Sequence, residues 1–237
     1  IFRPMHEDML IHHLPSIKGV LLDCYLESGW YRYGSGVFTT STYISKETSA
    51  HPVWWLRYRV DAVQIDRKVK SILNKASGMS LAVRPFSLTA ELEQLHDQYY
   101  SSISFPTNES IADLMEDVYN CVFDSQLIEV RDGNTLIAAG IFDLGKNSIA
   151  GIKNIFDPSY SKWSLGKRLM IEKWRFCLTN QVEWYYPGYI IPGISTFDYK
   201  LFLDKEATEV LCPDTQQWQP FSFFMEKHRD AMPSIKR

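Results

Sequence analysis

Apolar residues recur at three-to-four spacing over positions 17–28, and Gly29 follows them, which predicts a helix closed by a glycine. The aromatic and basic stretch Trp30-Tyr31-Arg32-Tyr33 and the turn Gly34-Ser35-Gly36 then lead into a β-branched segment over 37–44. Positions 53–60 alternate, with Leu56, Tyr58 and Val60 on one face and Arg57 and Arg59 on the other, as in a half-buried strand. A basic helix is predicted over 65–76, ending near Gly78, and a short strand over 80–85. Helical spacing returns with Leu92, Leu95 and Tyr99 behind Thr89, which suits an N-cap, and a second helix is expected over 110–121. Three strands follow, over 126–130, 135–143 and 148–156, with Asp132-Gly133-Asn134 as the hairpin turn between the first two. Asp157-Pro158 interrupts the sheet, a helix is expected over 164–178, and an aromatic strand over 182–191.

Helices, three antiparallel strands, a helix with a glycine at its start and a further strand form, in that order, the core pattern of the GNAT acyltransferases. The fold class expected is therefore α/β, a GNAT-like domain with a mixed, largely antiparallel sheet over 85–237, preceded by a smaller α+β region over 1–84 that offers a basic face.

Composition narrows the function classes. The 237 residues are 45% hydrophobic, enough for a sizeable core, and no apolar run approaches the roughly 18 residues of a membrane helix. Charged side chains from Arg3 to Glu27 stand where a signal peptide has its apolar stretch, so a cytoplasmic protein is expected. Cys24, Cys121, Cys177 and Cys212 are too far apart for a C-x-x-C site, which points to reduced thiols and to no metal. A net charge of −3 excludes a protein that coats nucleic acid without specificity. Locally the balance differs, because Arg57, Arg59, Arg67, Lys68, Lys70, Lys75 and Arg84 face only Asp61 and Asp66. Charge alone favours a solvated helix face there over a phosphate contact.

The second half carries a more specific series: Ala138-Ala139-Gly140-Ile141-Phe142-Asp143, Phe156-Asp157-Pro158, Ser164-Leu165-Gly166, Tyr185-Tyr186-Pro187-Gly188-Tyr189-Ile190-Ile191, Phe197-Asp198-Tyr199-Lys200, and Leu211-Cys212-Pro213-Asp214-Thr215 with Trp218. In order and spacing it resembles the C-terminal half of the arginyl/leucyl-tRNA–protein transferases. Gly29-Trp30-Tyr31-Arg32-Tyr33 and Leu56-Arg57-Tyr58-Arg59-Val60 with Arg67-Lys68 resemble elements of that family's N-terminal part. The family's cysteine cluster between those elements has no counterpart, since 37–55 contains no cysteine. The likeness covers residues 17–220 and is densest from 134 onward.

That resemblance implies transfer of an amino acid from aminoacyl-tRNA to an amine, in the first place a protein or peptide N-terminus, as in N-end rule tagging, with the tRNA as donor substrate and no resident cofactor. The ester is already activated, so orientation, worth about 7–11 kcal/mol in well-arranged systems, is the main demand and no covalent nucleophile is needed. The helix start Ser164-Leu165-Gly166-Lys167 suits the phosphates of the tRNA 3′ end, and Trp30, Arg32, Arg67 and Lys68 are further candidate tRNA contacts. Tyr186 and Tyr199 are candidates to stack on the terminal adenine, Lys200 is a candidate ligand, and Asp157 and Tyr189 are the candidate catalytic residues. Each also has a plainer reading: strand tyrosines pack, Asp157-Pro158 makes a turn, and Gly166 permits close packing. None of the six histidines falls in a matched element. An acyl-CoA-dependent acyltransferase of the same fold, an aminoacyl-tRNA-using small-molecule ligase and a non-catalytic peptide- or tRNA-binding module remain as alternatives.

Overall fold

The computed structural model describes residues 8–44, 49–75, 78–105 and 107–228; Ala76, the expected last residue of the basic helix, and His6 lie outside them. A three-stranded antiparallel sheet has β1 (Leu10–His12), β2 (Tyr31–Tyr33) and β3 (Gly36–Thr39) in the order β1-β3-β2, with helix α1 (Val20–Glu27) in its first connection. β4 (Thr42–Ile44) pairs antiparallel with β5 (Ala50–Pro52). There follow β6 (Trp54–Arg59), α2 (Arg67–Lys75), β7 (Ser80–Pro85), α3 (Ala90–Ser102), α4 (Ile111–Met115), β8 (Ser125–Asp132), β9 (Thr135–Leu144), β10 (Ser148–Phe156), α5 (Leu165–Thr179), β11 (Trp184–Ile190), β12 (Thr208–Leu211), β13 (Trp218–Pro220) and α6 (Phe221–Lys227). Short 3₁₀ segments, Pro158–Trp163 and Ser195–Leu201, precede α5 and follow β11.

Eight strands form one sheet in the order β13-β12-β6-β11-β10-β9-β8-β7, in which β10 and β11 pair parallel and every other neighbouring pair is antiparallel. This is the mixed, largely antiparallel α/β sheet expected. The division at residue 84 is not a division of the sheet. β6, from the N-terminal part, lies between β11 and β12, and the boundary cuts β7 one residue before its end.

Apolar side chains leave the sheet on both faces. On one, Leu165, Leu169 and Trp174 of α5 and Val69 and Ile72 of α2 pack on Ile128, Phe142, Ile149 and Tyr185. On the other, Leu92 and Leu95 of α3 meet Leu127, Ala139, Ile141 and Ile155, while Leu22 and Leu26 of α1 meet Ala150 and Tyr186. Each fully buried aliphatic side chain of this kind contributes about 1.5–3 kcal/mol, which is why three layers form.

Helix α4 is shorter than its sequence promises. Ser110 caps it, its hydroxyl accepting from the Asp113 amide at 2.9 Å, but Glu116 turns left-handed at φ 47°. Beyond it the buried Asp117 carboxylate accepts from the amides of Cys121, Val122 and Phe123 at 2.8–2.9 Å, so these donors serve a loop instead of a helix. At the end of α1, Gly29 has φ 75°, and a Cβ there would stand 2.5 Å from Leu211, so conformation and packing both demand glycine.

Candidate functional site

β10 and β11 pair only from Ser148–Ala150 to Trp184–Tyr186. Just beyond, β10 bulges against β9 between Gly151 and Lys153, and β11 is irregular against β6 between Tyr185 and Gly188. Irregularities on both strands at the same level swing them apart, so Gly151–Asn154 stay partly exposed although β10 is an interior strand. Such a gap orphans backbone groups, and Tyr31 of β2 fills it. Its hydroxyl lies 2.5 Å from the Gly151 carbonyl and 3.0 Å from that of Tyr186, donating to one at a time. Burial, and then the charge of Asp143, push its phenol well above the ordinary range.

Three lysines surround the splayed half, and none has a carboxylate partner among the described residues. Lys200, on the 3₁₀ segment after β11, donates to the Tyr189 carbonyl at 2.7 Å and lies 4.9 Å from the ring centres of Tyr189 and Phe197. A Cβ on Gly188, whose φ is 97°, would stand 3.5 Å from its Nζ. Burial of its ammonium lowers Lys200 to about 7. Lys153, at the bulge, donates to the Thr107 hydroxyl, and burial lowers it to about 8. Lys173, buried on α5, donates to Asn154 Oδ1 at 2.8 Å and to the Lys153 carbonyl at 3.2 Å. Burial lowers it to about 7 against the opposing charge of Asp143. Asn154 in turn donates to the Gly166 carbonyl at 3.4 Å, tying the first turn of α5 to β10.

The structure brings part of the expected site together. Tyr189, Lys200 and Tyr199, the last 48% exposed, flank the cleft, and Lys167, exposed on the first turn of α5, reaches over Phe202 at 4.7 Å. Ser164 stands before that turn at φ 55°, and Gly166 packs against Phe156, where a Cβ would come within 3.3 Å. The Leu165 side chain is fully buried, so only its backbone can face a ligand. Arg67 and Lys68 project from the exposed side of α2.

Other expectations are corrected. Arg32 is no phosphate ligand: it is 7% exposed and every nitrogen of its guanidinium is engaged, by Gly34, Ser125, Asp143 and Met115. Trp30 packs on the outside of α1, stacked on His12 at 4.1 Å. Tyr186 points away from the cleft, its hydroxyl 3.5 Å from Arg57 and its phenol pushed up to about 12 by burial. The Asp157 carboxylate accepts from the amide and hydroxyl of Ser159 at 2.8 and 2.7 Å, the turn-capping role open to it from the start. Asp143, the other carboxylate of the matched strand, is held by Arg32 and Ser125 in the core.

Sequence reasoning missed Tyr31, Lys153, Asn154 and Lys173. Two signals were there to find: Gly151 inside an otherwise continuous strand, which marks a bulge, and Lys153 as a single lysine in that strand; Lys173, between Glu172 and Trp174, carried no such signal. A separate open hollow of about 570 Å³ beside Arg57 and Trp218 is lined by none of these groups. Its guanidinium is already taken, stacked 3.7 Å from Trp184 and 4.4 Å from Trp218 and paired with Glu209 at 2.7 Å.

Comparisons with known proteins give the chain its family. The family model "Arginine-tRNA-protein transferase, C terminus" matches residues 91–209, half of the chain. Among curated relatives, an arginyl-tRNA–protein transferase of Arabidopsis thaliana is 33% identical over 111 residues, 45% of this chain and 17% of that protein. An aspartate/glutamate leucyltransferase of Shewanella sp. (strain ANA-3) is 25% identical over 201 residues, 82% of this chain and 80% of that protein. Among solved structures, L-PGS from Bacillus licheniformis superposes with a TM-score of 0.47 at 12% identity, covering 73% of this chain and 50% of that one. The relatives are aminoacyltransferases by name, and the matched segment runs from α3 through the cleft to β12: the chain belongs to the arginine-tRNA-protein transferase family.

Proposed function

We propose that this chain transfers an amino acid from aminoacyl-tRNA to the α-amine of a protein or peptide N-terminus. The observation that carries the proposal is the cleft between β10 and β11, open in the middle of the sheet and walled by lysines without counter-charges. The amine nitrogen attacks the ester carbonyl, a C–N bond forms as the C–O bond to the ribose breaks, and the ribose oxygen recovers a proton. Lys200 is the proton acceptor in this reading, because an amine near 7 exchanges protons at neutral pH, and Tyr189 and Tyr199 flank the reacting carbonyl. The first turn of α5, Ser164 to Lys167, receives the phosphates of the tRNA 3′ end with its amides and dipole. Arg67 and Lys68 extend that positive surface along α2, which packs on α5. The donor is a substrate and no resident cofactor is invoked. Among the described residues no helix is long and apolar enough to cross a membrane, and a cytoplasmic location suits a tRNA donor.

Single-turnover transfer from a pool of radiolabelled aminoacyl-tRNAs to peptides with Asp, Glu, Lys or Arg at the N-terminus, with acetyl-CoA in parallel, tests this. Acidic termini come first, because the bacterial relatives are named aspartate/glutamate leucyltransferases. Label passing from tRNA to a peptide supports the reading; donation by acetyl-CoA alone overturns it.

A further inference from the structure

Tyr31, Tyr58 and Tyr185 are neighbouring phenols around the point where β10 and β11 part, and two of them spend their protons on the backbone. Tyr31 donates to the carbonyls of Gly151 and Tyr186, one at a time, and Tyr58 donates to that of Lys200. Tyr185 differs. It lies 5.8 Å from the Tyr58 ring and is 1% exposed, yet its hydroxyl makes no hydrogen bond to a described residue. A hydroxyl without a partner at that depth costs about 1–3 kcal/mol, a cost that a ligand oxygen accepting from it would offset.

Position narrows which oxygen that is. Gly151 is the first residue of β10 beyond the paired stretch, and a Cβ there would stand 3.1 Å from the Tyr185 hydroxyl, so the missing side chain leaves that hydroxyl uncrowded at the fork. Tyr185 packs on the α5 face of the sheet, the face whose helix start receives the donor phosphates in the reading above, and Tyr58 ties the Lys200 segment to the same place. Burial, and then the charge of Tyr31, push the Tyr185 phenol well above the ordinary range, so it remains a neutral donor at working pH and keeps its proton. We propose that the Tyr185 hydroxyl donates a hydrogen bond to the ester carbonyl oxygen of the aminoacyl-tRNA and stabilises the oxyanion formed when the amine attacks. As the C–N bond forms, the carbonyl π pair moves onto that oxygen; it returns as the C–O bond to the ribose breaks, and the phenol proton stays on Tyr185 throughout. The assignment rests on the transferase reading and adds a catalytic residue to it, separate from Lys200, which takes the amine proton.

The test is Tyr185→Phe, which deletes one oxygen that the fold does not use, so its melting temperature is expected to equal or exceed that of the wild type. Its kcat for transfer should fall roughly 100- to 1000-fold, the scale of one lost oxyanion donor, with KM for aminoacyl-tRNA and for the peptide unchanged. The rise of activity with pH through about 7, assigned to Lys200, should persist in the variant. Tyr31→Phe is the contrast, because it deletes a hydroxyl that the backbone uses and should lower the melting temperature. A kcat in Tyr185→Phe equal to that of the wild type overturns the proposal. A loss carried by KM alone also overturns it and makes the hydroxyl a ground-state contact, and disappearance of the pH limb overturns it by placing the phenol in the proton transfer. If the wild type transfers to no peptide, the transferase reading has failed by itself. Binding of a phosphonate analogue of aminoacyl-adenosine, whose anionic oxygens imitate the oxyanion, then decides the hydroxyl: tighter binding by the wild type than by Tyr185→Phe upholds it as an oxyanion donor, and equal binding overturns it.

Discussion

Arg32 and Lys173 are both buried cations against the same sheet, 7% and 1% exposed, yet their surroundings have little in common. Arg32 is fully answered. Its Nε donates to Gly34 at 2.8 Å, one terminal nitrogen reaches Ser125 and Asp143 at 2.9 Å, the other reaches Met115 at 2.6 Å, and the guanidinium lies 4.3 Å from the Phe123 ring. Lys173 has two neutral acceptors and no carboxylate, and Lys153 and Lys200 repeat that pattern at the edges of the cleft. A cation with its counter-charge fastens elements together, here β2 to β8, β9 and the end of α4. Cations without one hold their protons loosely and cost stability, which is the condition of groups kept for a ligand or a reaction.

The largest expected effect tests the paired side of this contrast. Arg32→Met leaves Asp143, whose carboxyl burial already pushes up, without its counter-charge. Urea denaturation should show a loss of about 3–5 kcal/mol, the size found when one partner of a buried pair is removed. Retained stability would mean that the knot is no more structural than the lysines. On the unpaired side, Lys200→Met should lower kcat/KM for transfer about 100-fold, the scale of a lost general base, with the melting temperature unchanged or raised. The pH profile adds a sign. If Lys200 acts as base, activity rises as pH rises through about 7, and the variant loses that limb while keeping the one due to the acceptor amine.

How far this contrast was readable in the sequence follows from what each residue depends on. The strands from 126 to 156, the turn at Gly133 and the helix after Ser164 announce themselves by local periodicity and turn chemistry, and the structure has them within a few residues. The failures depend on partners distant in sequence. Arg32 resembled a ligand because its neighbours matched a motif, and only the fold supplies Asp143 and Ser125, 111 and 93 residues away. β6 looked like part of a separate region because nothing local says that it pairs with β11 and β12. The motif singled out Tyr189, Tyr199 and Lys200 in and after a glycine-containing strand, and the structure sets them beside the cleft, whereas the surroundings of Lys153 and Lys173 come from a bulge and a helix face whose burial needs the third dimension.

Lys173 sharpens the comparison through stability. Its amine in the fold, near 7, lies below the ordinary lysine value of 10.5, so between those pH values the unfolded chain binds the extra proton. Stability from this group therefore rises as pH rises from about 7 towards 10, and the penalty is complete below 7. Lys173→Met removes the penalty and should stabilise the protein by on the order of 2 kcal/mol at pH 6–7, flattening that part of the pH dependence in denaturant titrations. A loss of stability instead would show that the bonds to Asn154 and Lys153 outweigh the cost of burying the ammonium, and would move Lys173 to the side of Arg32.

The smallest effect concerns cations that are neither paired nor buried. Arg67 and Lys68 stand on the exposed side of α2 with water and salt around them, so any contact they make is screened. If they meet tRNA phosphates, the double variant Arg67→Ala/Lys68→Ala weakens aminoacyl-tRNA binding about tenfold and reduces the slope of log K against log salt by about 2, one for each released counterion. It should leave untouched both the preference among peptides and the pH limb assigned to Lys200, because α2 packs on α5 through Val69 and Ile72 and its basic side faces away from the cleft. An unchanged salt slope would return this helix to the solvated face that its charge alone suggests. The α5 turn with Lys167 would then carry the whole electrostatic part of donor binding, and the positive surface would end where α5 begins.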